Sequence, residues 1–245
     1  AEPRADDWEH LRTLYAQRAP RFLRTALPGL DARRVRFVAH HVAHAASTHL
    51  ASPHERSAIL VADGRGERAS SLLAHGVGGE IRPLTAQALP HSLGLLYEDL
   101  TAHLGFHRSS DEYKVMALAS YGEPRFADDL RKLVPVDGDG GYRVAPIDLE
   151  RFAPALEPGG ELDSAHADLA SSVQLRLEEV LLDLSRFLHD ETGERALTMA
   201  GGVALNCVAN RRLLAEGPFD ELWVQPAAGD AGTALGAAMA VATQL

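Results

Sequence analysis

The stretch that decides the fold is residues 196–232, ALTMAGGVALNCVANRRLLAEGPFDELWVQPAAGDAG. It states one theme twice. An apolar strand at 196–200 meets Gly201-Gly202 and then a helix from about 203 to 215. A second strand at 221–225 meets PAAGDAG and then a small-residue helix from 231. Strand, glycine-rich turn and helix N-terminus form the repeating unit of βαβ architecture. Upstream, residues 164–191 place Val173, Leu177, Val180, Leu184, Phe187 and Leu188 at helical spacing, and Gly193 sits where a C-terminal cap belongs. Residues 135–162 are rich in Gly, Pro and Asp with no sustained period, which predicts a connecting loop.

The first half has a different texture. Trp8, Leu11, Tyr15 and Phe22 predict a helix over 6–27, which Pro20 makes less regular. A short apolar run at 34–39 predicts a strand leading into the histidine-bearing helix HHVAHAASTHL. SAILVAD, 57–63, reads as a buried strand ending in an acid, followed by the turn DGRGE. Strands at 68–75 and 80–89 complete a meander, and helices follow at 92–104 and 111–120.

Composition narrows the function classes. The chain has 245 residues and a net charge of −10, with no basic stripe, so nucleic acid and anionic membranes are not expected partners. No apolar run approaches a membrane span. Cys207 is the one cysteine, so a thiolate zinc cage is excluded and a reducing, cytoplasmic setting is consistent.

Five constellations could carry chemistry. His40 and His44 lie one turn apart on a helix and could grip a metal ion, but His41 and His44 are also neighbours. Asp63-Gly64-Arg65-Gly66-Glu67 fits a loop beside phosphates or a metal, and equally a hairpin turn. Gly201-Gly202 lets a ligand approach backbone N–H groups at a helix start, or serves tight packing. Asp230 between glycines is either a ligand or an N-cap. Asp111 to Lys114 offers a cation suited to phosphate, or a solvated face. Cys207, inside an apolar segment, reads as a buried small residue rather than a nucleophile.

Six blocks in this order resemble the O-carbamoyltransferases of antibiotic and nodulation-factor biosynthesis. They are HHVAHAAS, SAILVADGRGE, LPHSLGLLYEDLTAHLGF, DEYKVMALASYGEP, MAGGVALNCVAN and VQPAAGDAGTALGAA, within residues 36–239. That family's large domain is similar to the universal tRNA threonylcarbamoyl-transfer protein. The resemblance implies an α/β fold, actin/hexokinase-like, of two ribonuclease-H-like lobes. On this chain the lobes are expected at 1–134 and 164–245, joined by a loop at 135–163. It implies ATP or a carbamoyl-adenylate, made from ATP and carbamoyl phosphate, in the cleft between lobes. It also implies a divalent metal, iron(II) being expected and magnesium accompanying the nucleotide. The carbamoyl group passes to a hydroxyl of a small-molecule acceptor.

Residue by residue, the family's metal positions fall on His40, His44 and Asp230, with Asp63 on or near the ion. Asp63, Gly64, Gly66, Glu98, Lys114, Gly201, Gly202 and Asn206 match its nucleotide and acyl-phosphate stretches. The base is unassigned, with His41 and Glu67 as candidates. Met116-Ala117-Leu118-Ala119 stands where the family usually has Met-Gly-Leu-Ala. The resemblance leaves the family's opening strands and its adenylate-forming domain without an expected match within these 245 residues. The first lobe is therefore expected to be remodelled, with the helix at 6–27 over its edge, or completed by a partner chain. A non-catalytic, partner-dependent subunit and a tRNA-modifying relative are the alternatives.

Overall fold

Strand β4, Ala196–Ala200, is buried at all 5 positions. It can be, because it lies inside a sheet with a parallel neighbour on each side, where both faces are covered. One neighbour is β5, Glu221–Val224, and the other is β1, Arg56–Ala62. The meander β2, Ala69–Val77, and β3, Glu80–Ala88, continues from β1 in antiparallel pairing. The result is one 5-stranded sheet of order β3-β2-β1-β4-β5. The computed structural model describes residues 5–244 of the chain.

The sheet draws strands from both of the stretches expected as lobes. Strands from 1–134 and from 164–245 pair directly, β1 with β4, so the connection at 135–163 does not separate two sheets. The chain divides elsewhere, into a unit ending at Phe37 and a unit running from Val38 onward. The first unit holds helix α1, Ala5–Ala26, and a 3-10 turn at Ala32–Arg34. The strand expected at 34–39 is not formed: residues 35–39 carry no regular structure, and Phe37 is 63 % exposed. A run of that length has no resolvable period, so its apolar content alone does not specify a strand.

In the second unit, helix α2, His40–His49, precedes β1. Helices α3 (Leu93–His103), α4 (Glu112–Ala119) and α5 (Ala127–Leu133) follow the meander. The long helix α6, Ser164–Thr192, starts at an Asp163 capping box and ends at Gly193, whose φ of 64° is the left-handed cap its position predicts. Its Val173, Leu177, Val180, Leu184 and Leu188 are buried in the main core with β1, α3 and α4 residues. Each such side chain contributes about 1.5–3 kcal/mol. The 135–162 segment is no bare linker: its Tyr142 is a core residue whose hydroxyl accepts from the Leu93 N–H at 3.4 Å.

Two expected helices begin differently from their reading. Residues 202–205 form a 3-10 turn, and α7, Cys207–Glu216, starts only after Asn206, which caps it. Likewise Asp230–Gly232 is a 3-10 turn before α8, Thr233–Ala242. Helix α8 packs on α2 so closely that a Cβ on Gly236 would lie 1.8 Å from the Ala43 carbonyl oxygen. No helix among the described residues is long and apolar enough to cross a membrane.

Candidate functional site

Sheet register brings the site together. The parallel ladder of β1 and β4 ends at Val61 opposite Ala200. Two residues further on each strand come Asp63 and Gly202, and the Gly202 N–H donates to Asp63 Oδ1 at 3.0 Å. Gly201 makes this turn possible. Its φ is +95°, and a Cβ there would sit 2.2 Å from the Ala62 carbonyl oxygen. The Gly201 N–H donates to Ala228 O at 2.8 Å, tying the loop after β5 to the same strand end. Ligand crevices of open α/β sheets form at such carboxyl ends.

Helix α2 points its first turn at this strand end. Its N-cap position, Ala39, offers no capping side chain. Glu67, from the DGRGE turn, takes that place by accepting the His40 N–H at 3.0 Å. A carboxylate at a helix N-terminus satisfies an orphan donor and suits the helix dipole. The turn itself runs over the histidines: a Cβ on Gly66 would lie 3.0 Å from the His41 ring. Ser92 caps α3 by accepting the Leu95 N–H at 3.1 Å, and its hydroxyl donates to the Gly64 carbonyl at 2.7 Å. Gly94 lets α3 seat on this turn, since a Cβ would come within 2.6 Å of the Gly64 nitrogen.

The central cluster is His40, His44, Asp63 and Asp230, whose ligand atoms all lie within 4.8 Å of one another. His40 Nε2 is 2.9 Å from Asp63 Oδ2 and 3.5 Å from Asp230 Oδ1. His44 Nε2 is 3.7 Å and 3.6 Å from the same two oxygens. His44 is fully buried, yet neither ring nitrogen has a hydrogen-bond partner. A buried polar atom left unpaired costs about 1–3 kcal/mol. Two imidazoles and two carboxylates converging on one point form a donor set suited to a divalent first-row ion, and such an ion would satisfy His44. Asp230 does not act as an N-cap; its side chain is 80 % exposed and faces the two histidines.

Electrostatics follow from this packing. Burial would raise the Asp63 carboxyl, but the His40 and His41 side chains beside it and the Gly202 N–H outweigh it and hold the group far below the usual carboxylate range. The bond to Asp63 raises His40, while burial lowers His44. At neutral pH Asp63 is therefore ionised and His44 neutral.

The other expected residues divide in two. Gly64, Gly66, Gly201 and Gly202 border the cluster, but the Gly202 N–H is committed to Asp63 rather than to a ligand phosphate. Glu98 lies against Gly64 and pairs with Arg65 at 3.0 Å, and burial raises its carboxyl. His41 sits at the rim of the cluster, its Nε2 3.8 Å from Asp63 Oδ2 and without a hydrogen bond. Lys114, in contrast, is held by Asp111 at 3.0 Å over the Phe106 ring. Asn206 caps α7 and pairs with Gln174. Cys207 is exposed, against expectation, because α7 starts at that residue and turns it outward beside Met116. Sequence reasoning passed over Ser92, Gly94 and Gln174. The first two were legible as Ser-Leu-Gly at a helix start; Gln174 carried no signal within its helix.

Comparison with known proteins agrees with this architecture. The carbamoyltransferase N-terminus family model matches residues 11–239. Nodulation protein NolNO of Sinorhizobium fredii is 42 % identical over 224 residues, covering 88 % of this chain and 32 % of that protein. Nodulation protein NolO of Bradyrhizobium diazoefficiens is 40 % identical over 214 residues, covering 84 % of this chain and 38 % of that one. The chain thus spans about a third of the length of these curated relatives. The crystal structure of T. kodakarensis HypF is similar in fold, with a TM-score of 0.58 at 15 % identity, over 94 % of this chain and 39 % of that one. With nearly its whole length matched, the chain belongs to the carbamoyltransferase N-terminus family.

Proposed function

We propose that this chain carries the acyl-transfer site of an O-carbamoyltransferase. The group moved would come from a carbamoyl-adenylate, made from ATP and carbamoyl phosphate, and go to a hydroxyl of a small-molecule natural product. The observation that carries this reading is the cluster of His40, His44, Asp63 and Asp230, with its two unpartnered nitrogens on a fully buried His44. These four residues would hold a divalent metal, for which iron(II) is our assignment. Once bound, such an ion supplies Lewis-acid polarisation of phosphate oxygens.

The chain's own groups prepare that site. Gly202 and His40 fix the Asp63 carboxylate between them. Glu67 fixes the first turn of α2, so its carboxylate is already engaged. Of the two base candidates, His41 is the one whose Nε2 makes no hydrogen bond, lying 3.8 Å from Asp63 Oδ2, and we assign acceptance of the hydroxyl proton to it. The nucleotide is assigned to the side of the GGVALN turn. A cavity of about 250 Å³, bounded by Met116, Ala119, Gln174, Leu175, Glu178 and Val208, adjoins the turn through Gln174, the partner of Asn206. We read the single sheet as one ribonuclease-H-like lobe. The second lobe of an actin-like pair, and the adenylate-forming activity, would then come from another segment or another chain.

The test is a turnover assay with carbamoyl phosphate, ATP and a panel of hydroxylated acceptors, with and without an adenylate-forming partner. Metal content is measured in parallel. Carbamoylated product that disappears in His40→Ala/His44→Ala protein is expected. Stoichiometric metal retained by that double variant would remove the assignment of the site.

A further inference from the structure

Gln174 is buried on α6, and every hydrogen-bonding position of its amide is used. Its Nε2 donates to Glu178 Oε1 at 2.7 Å and to Asn206 Oδ1 at 3.1 Å. Its Oε1 accepts from Tyr97 Oη at 2.9 Å and from Asn206 Nδ2 at 2.8 Å. The order of these bonds is forced. The Glu178 carboxylate, paired with Arg212 at 3.0 Å, offers only acceptors, so the Gln174 atom facing it must be the nitrogen. The other Gln174 atom is then an acceptor, and Asn206 must meet it with Nδ2. The Ala209 N–H, a pure donor 3.0 Å from Asn206 Oδ1, demands the same orientation. Asn206 Oδ1 is thereby filled, and one N–H of Nδ2 keeps no partner among the described residues.

We propose that Gln174 is a positioning residue that locks the Asn206 amide so that it presents an N–H donor, never its carbonyl, to an oxygen acceptor of the nucleotide. The inference rests on the reading that places nucleotide beside Asn206. Gln174 touches no reacting atom in this scheme; it acts through Asn206. The charged and titratable groups around its amide are Glu178 on α6, Arg212 on α7 and Tyr97 on α3, with Glu112 of α4 acting on Tyr97. Burial and the two glutamates push the Tyr97 hydroxyl up, so it stays a donor.

ATP titrations from pH 5.5 to 8, by calorimetry, test this with wild type, Gln174→Leu and Gln174→Glu, each variant read as a ratio to wild type. Gln174→Leu should bind at least tenfold more weakly at every pH. Gln174→Glu should be as weak at pH 8, where an ionised carboxylate has no proton for Asn206 and faces Glu178. It should approach wild type as pH falls and the protonated acid donates again. A simple packing role gives no such recovery. Wild-type affinity in Gln174→Leu, or a pH-independent loss in Gln174→Glu, overturns the inference. Should wild type itself take up no ATP, the nucleotide reading fails, and hydrogen exchange decides the positioning. Faster exchange of the Ala209 N–H in Gln174→Leu supports it, and unchanged exchange overturns it.

Discussion

Asp63 and Gly202 belong to segments 139 residues apart, yet the Gly202 N–H lies 3.0 Å from Asp63 Oδ1 while Oδ2 faces His40 at 2.9 Å. One carboxylate thus spans the turn after β4 and the first turn of α2. A Cβ at Gly202 would come 3.2 Å from Asp63 Oδ1 and meet little else. Gly202→Val should therefore leave the fold intact and displace the carboxylate, weakening divalent-metal affinity about tenfold, the scale of losing one supporting contact to a ligand. Gly201→Ala should instead destabilise the protein by about 2–4 kcal/mol, because strained backbone and a clash with Ala62 add. Denaturant midpoints and metal titrations on the two variants should separate in opposite ways; equal effects on both readouts would contradict this division.

Metal affinity should fall with acid. The ligand imidazoles must be neutral, and in the metal-free protein the Asp63 hydrogen bond raises His40. Below that raised value an entering ion must displace a proton, so affinity drops by at most about tenfold per pH unit for each proton displaced. Asp63 is ionised throughout this range and adds no dependence. Competition titrations with cobalt between pH 8 and 5.5 measure the slope. A flat profile would exclude His40 as a ligand.

Glu67 was a candidate base, and its engagement with the His40 N–H predicts a structural effect instead. Glu67→Ala should cost about 1 kcal/mol, the scale of a lost helix cap. Glu67→Gln, which keeps the acceptor, should recover most of that. Carbamoyl transfer lost in Glu67→Gln with stability intact would return the base assignment to Glu67.

Much of the site was legible in the sequence because its residues sit at element boundaries. Histidines one turn apart, an acid at a strand end and glycines between strand and helix are each short-range patterns, and the structure gathers them. The sheet order was not legible. β1 pairs with β4 across more than a hundred residues, and no local pattern states which strands meet. The strand expected at 34–39 failed for lack of period. Gln174 was invisible because a polar residue on a long helix reads as solvent-facing until its partners on α3 and α7 are known.

Close approach of helices predicts a further sensitivity. Gly236 of α8 lies against the Ala43 carbonyl of α2, one residue before His44. Gly236→Ala would force the helices apart, since the new Cβ would lie 1.8 Å from that oxygen and 2.7 Å from the Ser47 nitrogen. The expected result is a loss of about 1–3 kcal/mol from overpacking, together with weaker metal binding as α2 moves. Metal binding unchanged in a destabilised variant would show that α2 keeps its place without α8.

Acid stability should depend on a carboxylate at the opposite end of the strands. Glu194, just before β4, accepts from Arg56 Nη2 at 2.7 Å and from His75 Nε2 at 2.6 Å. Burial alone would raise its carboxyl, but the bonds from His75 and Arg56 outweigh it, and the net shift is downward. A carboxyl depressed on folding stabilises the protein above its unfolded value, near pH 4.3, and that stability is lost as pH falls through the folded value. Glu194→Gln removes the charge. It should cost on the order of 1 kcal/mol at pH 7, because Arg56 is half exposed and the pair is screened. The variant and wild type should then converge below about pH 4, where wild-type Glu194 takes up its proton. Urea midpoints from pH 7 to 3 trace this convergence. A constant gap across that range would mean that Glu194 stabilises through packing rather than through its charge.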